Sequence, residues 1–370
     1  MNSTERLLAC LRGEMPDRVP ISTYELVGWN RRAWENRSPS YARLMELVRR
    51  ETDCLYMTDV HVPNARADDH AAQVEQWTEG EQHVTRTVVR SAGRTLTTIT
   101  SRSDKLMTVW TREHPVKDLD DLRAWLALPW EPGQPDFRAL KQAWDDLEGT
   151  RGLPMISISD PLCELAEAFE FGNFLVHAMT ETPAMLAAMD QLHERRVHTL
   201  RRILAGPVRN AVFRLCGPEY ATVPYLPPEM FKSFVTRYDG QYIRLIQQAD
   251  GFARLHCHGK IARVLDQIIE LAPDALDPLE PPPDGDIPLA ELKHALGDRL
   301  CLMGGLELRR LEMADADTVE DLVRQAMAAG KPGGRFVIMP SAAPINIPLW
   351  PRTEENYVRF IETALATGAY

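Results

Sequence analysis

Residues 251–260 read GFARLHCHGK, with two histidines two positions apart at the end of an apolar run. Side chains alternate along a strand, so His256 and His258 share a face and Cys257 points the other way. Two imidazoles on one side of a strand end can grip a metal ion if a neighbouring strand adds a third ligand. Glu280, at the end of the next apolar stretch ALDPLE (275–280), is that candidate. Two imidazoles and a carboxylate are borderline to hard in ligand character, which fits zinc, with Mn²⁺ or Fe²⁺ as alternatives. The other reading is that the histidines contact substrate or the rim with no metal. Cys257 reads as a small buried residue, since no partner base stands near it in sequence.

Other strand ends carry groups suited to proton transfer. In CGPEYATVPY, Glu219 and Tyr220 are candidates for general acid–base work, and Glu219 could equally cap a helix or pair with an arginine. Asp160 precedes Pro161 in SDPLCELAE, a spacing that suits a helix N-cap as well as a catalytic carboxylate. Glu307 ends LCLMGGLE. Arg214 lies inside AVFRLCG; pointing inward, it would be a buried cation in need of a carboxylate such as Glu219 or Glu280. Tyr24, Trp29 and Ser341 complete the candidates for contacts to substrate.

Positioning these groups falls to a regular alternation. Apolar segments at 18–22, 53–59, 154–160, 211–217, 252–258, 275–280, 300–307 and 335–341 are each followed by a helical pattern. Strands alternating with helices imply a parallel sheet, and eight units imply an α/β fold, a single (β/α)8 TIM barrel with its site at the C-terminal strand ends. An open doubly wound sheet is the alternative, and no glycine-rich phosphate loop follows any strand to support it. Residues 61–150 read as an elaboration before the third strand. It contains a β-hairpin over 83–101 and two helices, DLDDLRAWLAL and DFRALKQAWDDLEG. The Pro-rich DPLEPPPDGDIP is too short to divide the chain, so 1–370 reads as one domain.

A net charge of −11 argues against nucleic acid or an anionic membrane as partner. The opening residues are charged throughout, unlike a signal peptide, and no apolar run reaches the roughly 18 residues of a membrane span. Six scattered cysteines read as reduced thiols, and a cytoplasmic location is the expectation.

The order of several stretches resembles the uroporphyrinogen decarboxylase superfamily. These are ERLLACLRGEMPDRVPI, HPVKDLDDLRAW, HCHG, LGDRLCLMGGLE and RTEENYVRFIE. The resemblance implies a (β/α)8 barrel and one of two chemistries. One is cofactor-free decarboxylation of uroporphyrinogen acetates. The other is zinc-dependent methyl transfer between corrinoid proteins and thiols such as coenzyme M. The Arg-rich R-Q-A-G-R-Y motif of true decarboxylases is missing; ELVGWNRRAWENR, with Arg31 and Arg32, stands in that region. The methyltransferases resemble the chain better. Their zinc motif is His-x-Cys-Gly with a later Cys. Here His256 matches the histidine, His258 replaces the first cysteine, and Ser341-Ala342 stand where the second is expected. Glu280 matches a glutamate ligand of the methionine synthase-like relatives. The leading expectation is therefore a metal-dependent methyltransferase whose donor is a corrinoid protein or a methoxylated small molecule. The alternative is a decarboxylase or other lyase of a small or tetrapyrrole carboxylic acid. A non-catalytic tetrapyrrole- or protein-binding barrel ranks third. Barrels of this type often pair, so a homodimer is also open.

Overall fold

The computed structural model describes residues 1–66 and 72–370. Its strands fall into two sheets. β1 (Cys54–Thr58) belongs to the first. β2 (Gln73–Glu79), β3 (Gln82–Ser91), β4 (Arg94–Ser103) and β5 (Leu106–Glu113) make the second. β6 (Gly152–Ser159), β7 (Val212–Cys216), β8 (Phe252–His256), β9 (Ala275–Asp277), β10 (Cys301–Leu306) and β11 (Phe336–Pro340) return to the first.

The first sheet is parallel, curled and ordered β1-β6-β7-β8-β9-β10-β11. Each strand pairs with the next one of this sheet in the chain, so there is no reversal of order as in a doubly wound sheet. Helices such as Thr182–Leu204, Arg237–Gln248, Ala316–Gly330 and Pro351–Thr367 lie between and after the strands. Covered on both faces, these strands are largely apolar in sequence, and all five residues of β11 are buried.

Among the described residues this sheet has seven strands where eight were expected. Among the described residues the segment 18–22 forms no ladder and makes only isolated bridges, Ile21 to Ile338 in parallel and Arg18 to Ala369 antiparallel. It still spans the gap between the sheet's two edges. Ser22 N–H donates to Ile338 O at 3.0 Å, Ile338 N–H to Pro20 O at 3.1 Å, and Asp53 N–H to Ile21 O at 2.7 Å. Pro20 has no N–H to offer, which limits the ladder. The buried Asp53 carboxylate ties the segment down, accepting from Ile21 N–H at 2.9 Å and pairing with Arg6 and Arg18 at 2.6 and 2.8 Å. β9 has three residues rather than six, because Pro278 interrupts the ladder in the same way.

The second sheet is antiparallel, β2-β3-β4-β5. The expected hairpin is its centre, β3 pairing with β4 around a turn in which Ala92 and Gly93 both have positive φ. β2 and β5 were not anticipated. Every residue of β2 is exposed, so no apolar face marks it in sequence. The β4–β5 turn reaches the segment after β11. Met107 N–H donates to Ile345 O at 2.8 Å, and Ile347 N–H to Lys105 O at 2.9 Å. The two expected helices are Leu119–Leu126 and Arg138–Leu147.

Candidate functional site

The register of the parallel sheet fixes what meets at its C-terminal ends. Arg214 lies opposite Arg254, Cys216 opposite His256, and His256 opposite Asp277. In-register residues of parallel neighbours project to the same side, so β7, β8 and β9 present one row of polar groups.

Asp277 and Arg254 are both fully buried. Arg254 grips the carboxylate with two N–H groups, Nε to Oδ1 at 2.6 Å and Nη2 to Oδ2 at 2.5 Å. Burial alone would raise the Asp277 pKa, but the Arg254 charge and the His256 hydrogen bond hold it well below the usual carboxylate range. His256 Nδ1 lies 2.8 Å from Asp277 Oδ2, and its Nε2 lies 2.9 Å from Arg214 Nη2. A guanidinium only donates, so Nε2 accepts and Nδ1–H donates to Asp277. Burial, the larger influence, lowers the His256 pKa despite Asp277, and the ring is neutral. Arg214 Nη2 also donates to the Tyr24 hydroxyl at 2.6 Å, and its Nη1 reaches Ser157 Oγ at 3.4 Å. Its buried Nε–H has no acceptor among the described residues. Neither Glu219 nor Glu280 neutralises Arg214, contrary to the expectation.

Above this floor stands His258. Its ring meets that of His256 edge-on, with centroids 4.6 Å apart, so the two histidines do share a side. His258 Nδ1 bonds Glu280 Oε1 at 2.6 Å, while Glu280 Oε2 accepts from Gly259 N–H at 2.7 Å. Burial opposes the imidazolium, but Glu280 outweighs it and raises the His258 pKa. Glu280 is correspondingly lowered, its burial overcome by His258. Glu307 begins the helix Leu308–Met313; burial, with the charges of Glu280 and Asp284, pushes its carboxyl up to about 7. Ser341 Oγ accepts from Leu308 N–H at 3.1 Å and so steadies that helix start. Gly304 lets β10 approach this corner: a Cβ there would lie 1.7 Å from Pro278 O.

The remaining expected residues are placed differently. Asp160 is a fully buried N-cap, accepting from Cys163 N–H at 2.6 Å. Glu219 accepts from Gly217 N–H at 2.9 Å. Tyr220 leans on Phe171, centroids 5.7 Å apart. Trp29 packs with Val27, Cys54 and Tyr56 in a small separate cluster, not against the histidines. Arg254 and Asp277 were missed. The same alternation that aligned His256 with His258 also aligns Arg254, two residues earlier, and could have found it.

The residues expected to hold a metal do not form a ligand set. Both ring nitrogens of His256 are engaged, one by a cation that would repel a metal ion. Among the described residues no group of three or more His, Cys, Asp or Glu is placed to hold one. His258 Nε2 and the Glu280 carboxylate are too few donors for a zinc site.

The sequence matches the family model for uroporphyrinogen decarboxylase (URO-D) over residues 173–362, more than half of its length. The chain belongs to the uroporphyrinogen decarboxylase family. No curated protein matches the sequence. Among solved structures, a methyltransferase from Methanosarcina mazei is 13% identical, with a TM-score of 0.62 covering 99% of both chains. This likeness shows that the fold is shared along the whole length. A B12-independent methionine synthase from Shewanella sp. W3-18-1, in complex with selenomethionine, is 10% identical at a TM-score of 0.40, covering 76% of this chain and 73% of that one. No helix among the described residues is long and apolar enough to cross a membrane.

Proposed function

We propose that this URO-D family member is a carboxy-lyase that works by acid–base chemistry on a small carboxylic acid at the mouth of a (β/α)8 barrel. In this reading residues 1–370 are one domain, 18–22 is the eighth stave, and 61–150 is an elaboration. The observation that carries the proposal is the engagement of His256 by Asp277 and Arg214. It puts a fixed guanidinium, without a carboxylate partner among the described residues, where a metal was expected.

The chemistry follows from the two levels of the site. The bond from carbon to the substrate carboxylate breaks and CO2 leaves. The electron pair passes into a carbonyl on the neighbouring carbon, as a 3-oxo acid offers, and Arg214 stabilises the enolate oxygen that results. Tyr24 and His256 fix the guanidinium in place. A proton from Glu307, or from the His258–Glu280 pair, then fills the carbon, and solvent restores it.

Methyl transfer is the second reading. The full-length fold likeness to the Methanosarcina methyltransferase favours it, and it would call for a corrinoid carried by a partner protein. Zinc or another divalent metal would have to be held by groups other than His256. One experiment separates the two readings. Purified protein is offered small 3-oxo and hydroxy-aromatic carboxylic acids and uroporphyrinogen, with and without chelator, and CO2 is measured; methylcobalamin with a thiol is offered in parallel. CO2 release unchanged by chelator and weakened about 10–100-fold in Arg214→Met supports the lyase. Demethylation of methylcobalamin with no CO2 from any acid overturns it.

A further inference from the structure

At the other end of the parallel sheet from the histidines lies a cavity of about 460 Å³. Its wall is built where four strands begin and the helix Ser3–Arg12 ends. Phe252 opens β8, Asp274 and Leu300 stand just before β9 and β10, and Arg335 stands just before β11. Arg12, Arg299 and Arg335 all contribute to the lining, and among the described residues none of the three makes an ion pair. Arg335 donates to the carbonyls of Arg299 and Arg12 at 3.3 and 3.4 Å, so its guanidinium lies between the chains that carry the other two. Arg12 Nη2 donates to Asn210 Oδ1 at 3.2 Å. Lys293 Nζ donates to Gly334 O, the carbonyl just before Arg335, and adds a further cation nearby. Asp274 is the one acid of the lining, and its Oδ2 is already engaged by Ala253 N–H at 2.7 Å and Gln247 Nε2 at 3.3 Å. Three guanidiniums less one carboxylate leave a surplus of two positive charges in this lining, in a chain whose net charge is −11.

The backbone is shaped to seat the central guanidinium. Gly13 has φ 78, and a Cβ there would stand 2.0 Å from Arg335 Nη2. Arg335 itself holds φ 49, a region that non-glycine residues seldom adopt. Guanidiniums anchored on neutral oxygens rather than on carboxylates keep their charge and their remaining N–H groups for an anion. Leu11, Phe252, Ile269 and Leu300 add an apolar wall, and the volume is that of a small-molecule site. We propose that this cavity binds a phosphate monoester of a small apolar or aromatic alcohol, with its phosphate on Arg12, Arg299 and Arg335 and its organic part against Phe252 and Ile269. A phosphate monoester carries nearly two negative charges at neutral pH and offers three oxygens in different directions. That matches three guanidiniums on three separate segments better than a planar carboxylate does. The bound anion ties the first helix to the starts of β10 and β11. The site is remote from Arg214 and does not depend on the reaction proposed there.

Calorimetric titration of the full-length protein with phenyl phosphate tests the site, with inorganic phosphate and benzyl alcohol as the two halves of that probe. The wild type is compared with Arg12→Gln, Arg299→Gln and Arg214→Met. Arg12 and Arg299 are exposed, so replacing their side chains leaves the fold intact. The expected result is a single phenyl phosphate site per chain, weakened about 10-fold or more in Arg12→Gln and in Arg299→Gln and unchanged in Arg214→Met. Its affinity falls as salt is added, because the guanidiniums are open to solvent. Inorganic phosphate binds the same site about 10-fold more weakly, and benzyl alcohol gives no saturable heat. Absence of saturable heat from phenyl phosphate up to about 10 mM overturns the site. Affinity that survives both Arg12→Gln and Arg299→Gln overturns it too, as does affinity lost in Arg214→Met, which places the anion among the histidines instead. Inorganic phosphate that binds as tightly as phenyl phosphate overturns the organic part of the ligand.

Discussion

The floor and the rim of the site use similar residue types to opposite ends. On the floor, Arg254, Asp277, His256 and Arg214 form one chain of hydrogen bonds, and the first three are almost wholly removed from water. Most protons there are fixed by a buried partner, the Arg214 Nε–H excepted. At the rim, His258, Glu280 and Glu307 are partly open to solvent, and their charges oppose or attract one another near neutral pH. Fixed charge can orient and stabilise, whereas proton exchange needs groups whose two states are close in free energy.

The largest effect that would test this contrast is structural. Asp277→Ala strands the buried Arg254 cation and should cost about 3–5 kcal/mol in a urea unfolding experiment; a loss under 1 kcal/mol would mean that the floor is not a braced unit. At the rim, Glu307→Gln should leave folding intact and reduce turnover by about 10²–10⁴. Because the Glu307 carboxyl sits at about 7, its protonated form is present below that pH and lost above it. Wild-type turnover that depends on this acid should therefore fall as pH rises through 7, and the limb should vanish in the variant. Arg214→Met joins the two levels: it removes a charged donor and should weaken turnover or inhibitor binding by about 10–100-fold, with the pH profile unchanged. A shifted profile would show that Arg214 also tunes the rim. The smallest expected effect is that of zinc. With His256 engaged on both sides, added zinc should move Tm by less than about 1 °C, since stabilisation requires a ligand that binds the folded state. A rise of several degrees would mean that the floor opens to take a metal.

The barrel-like alternation and the hairpin at 83–101 were readable because buried parallel strands and β-rich hairpins leave strong local patterns. The shared side of His256 and His258 was readable from period two alone. What those histidines bind was not, because it depends on Asp277 and Arg214 from neighbouring strands, and register is a property of the assembled sheet. Asp160 was legible as a cap from its place before Pro161. The burial of Asp239 was not, because an acid on an amphipathic helix normally faces solvent and only the tertiary packing buries it. β2 and β5 escaped notice because strands exposed on both faces have no hydrophobic period to betray them.

The seam at Ile21 bears on how the chain reaches this state. It joins residues near opposite ends of the sequence, Ile21 to Ile338, and Val19 N–H also donates to Gly368 O at 3.0 Å. Contacts between neighbouring strand–helix units are local and can form as the chain grows, but this one closes a loop that takes in most of the chain. Until it does, β1 and β11 are bare edges with unpaired backbone groups, open to pairing with another chain. The period of greatest aggregation risk is therefore the interval between completing the last strand and docking the first segment, and the Asp53 clasp with Arg6 and Arg18 is what brings it to an end.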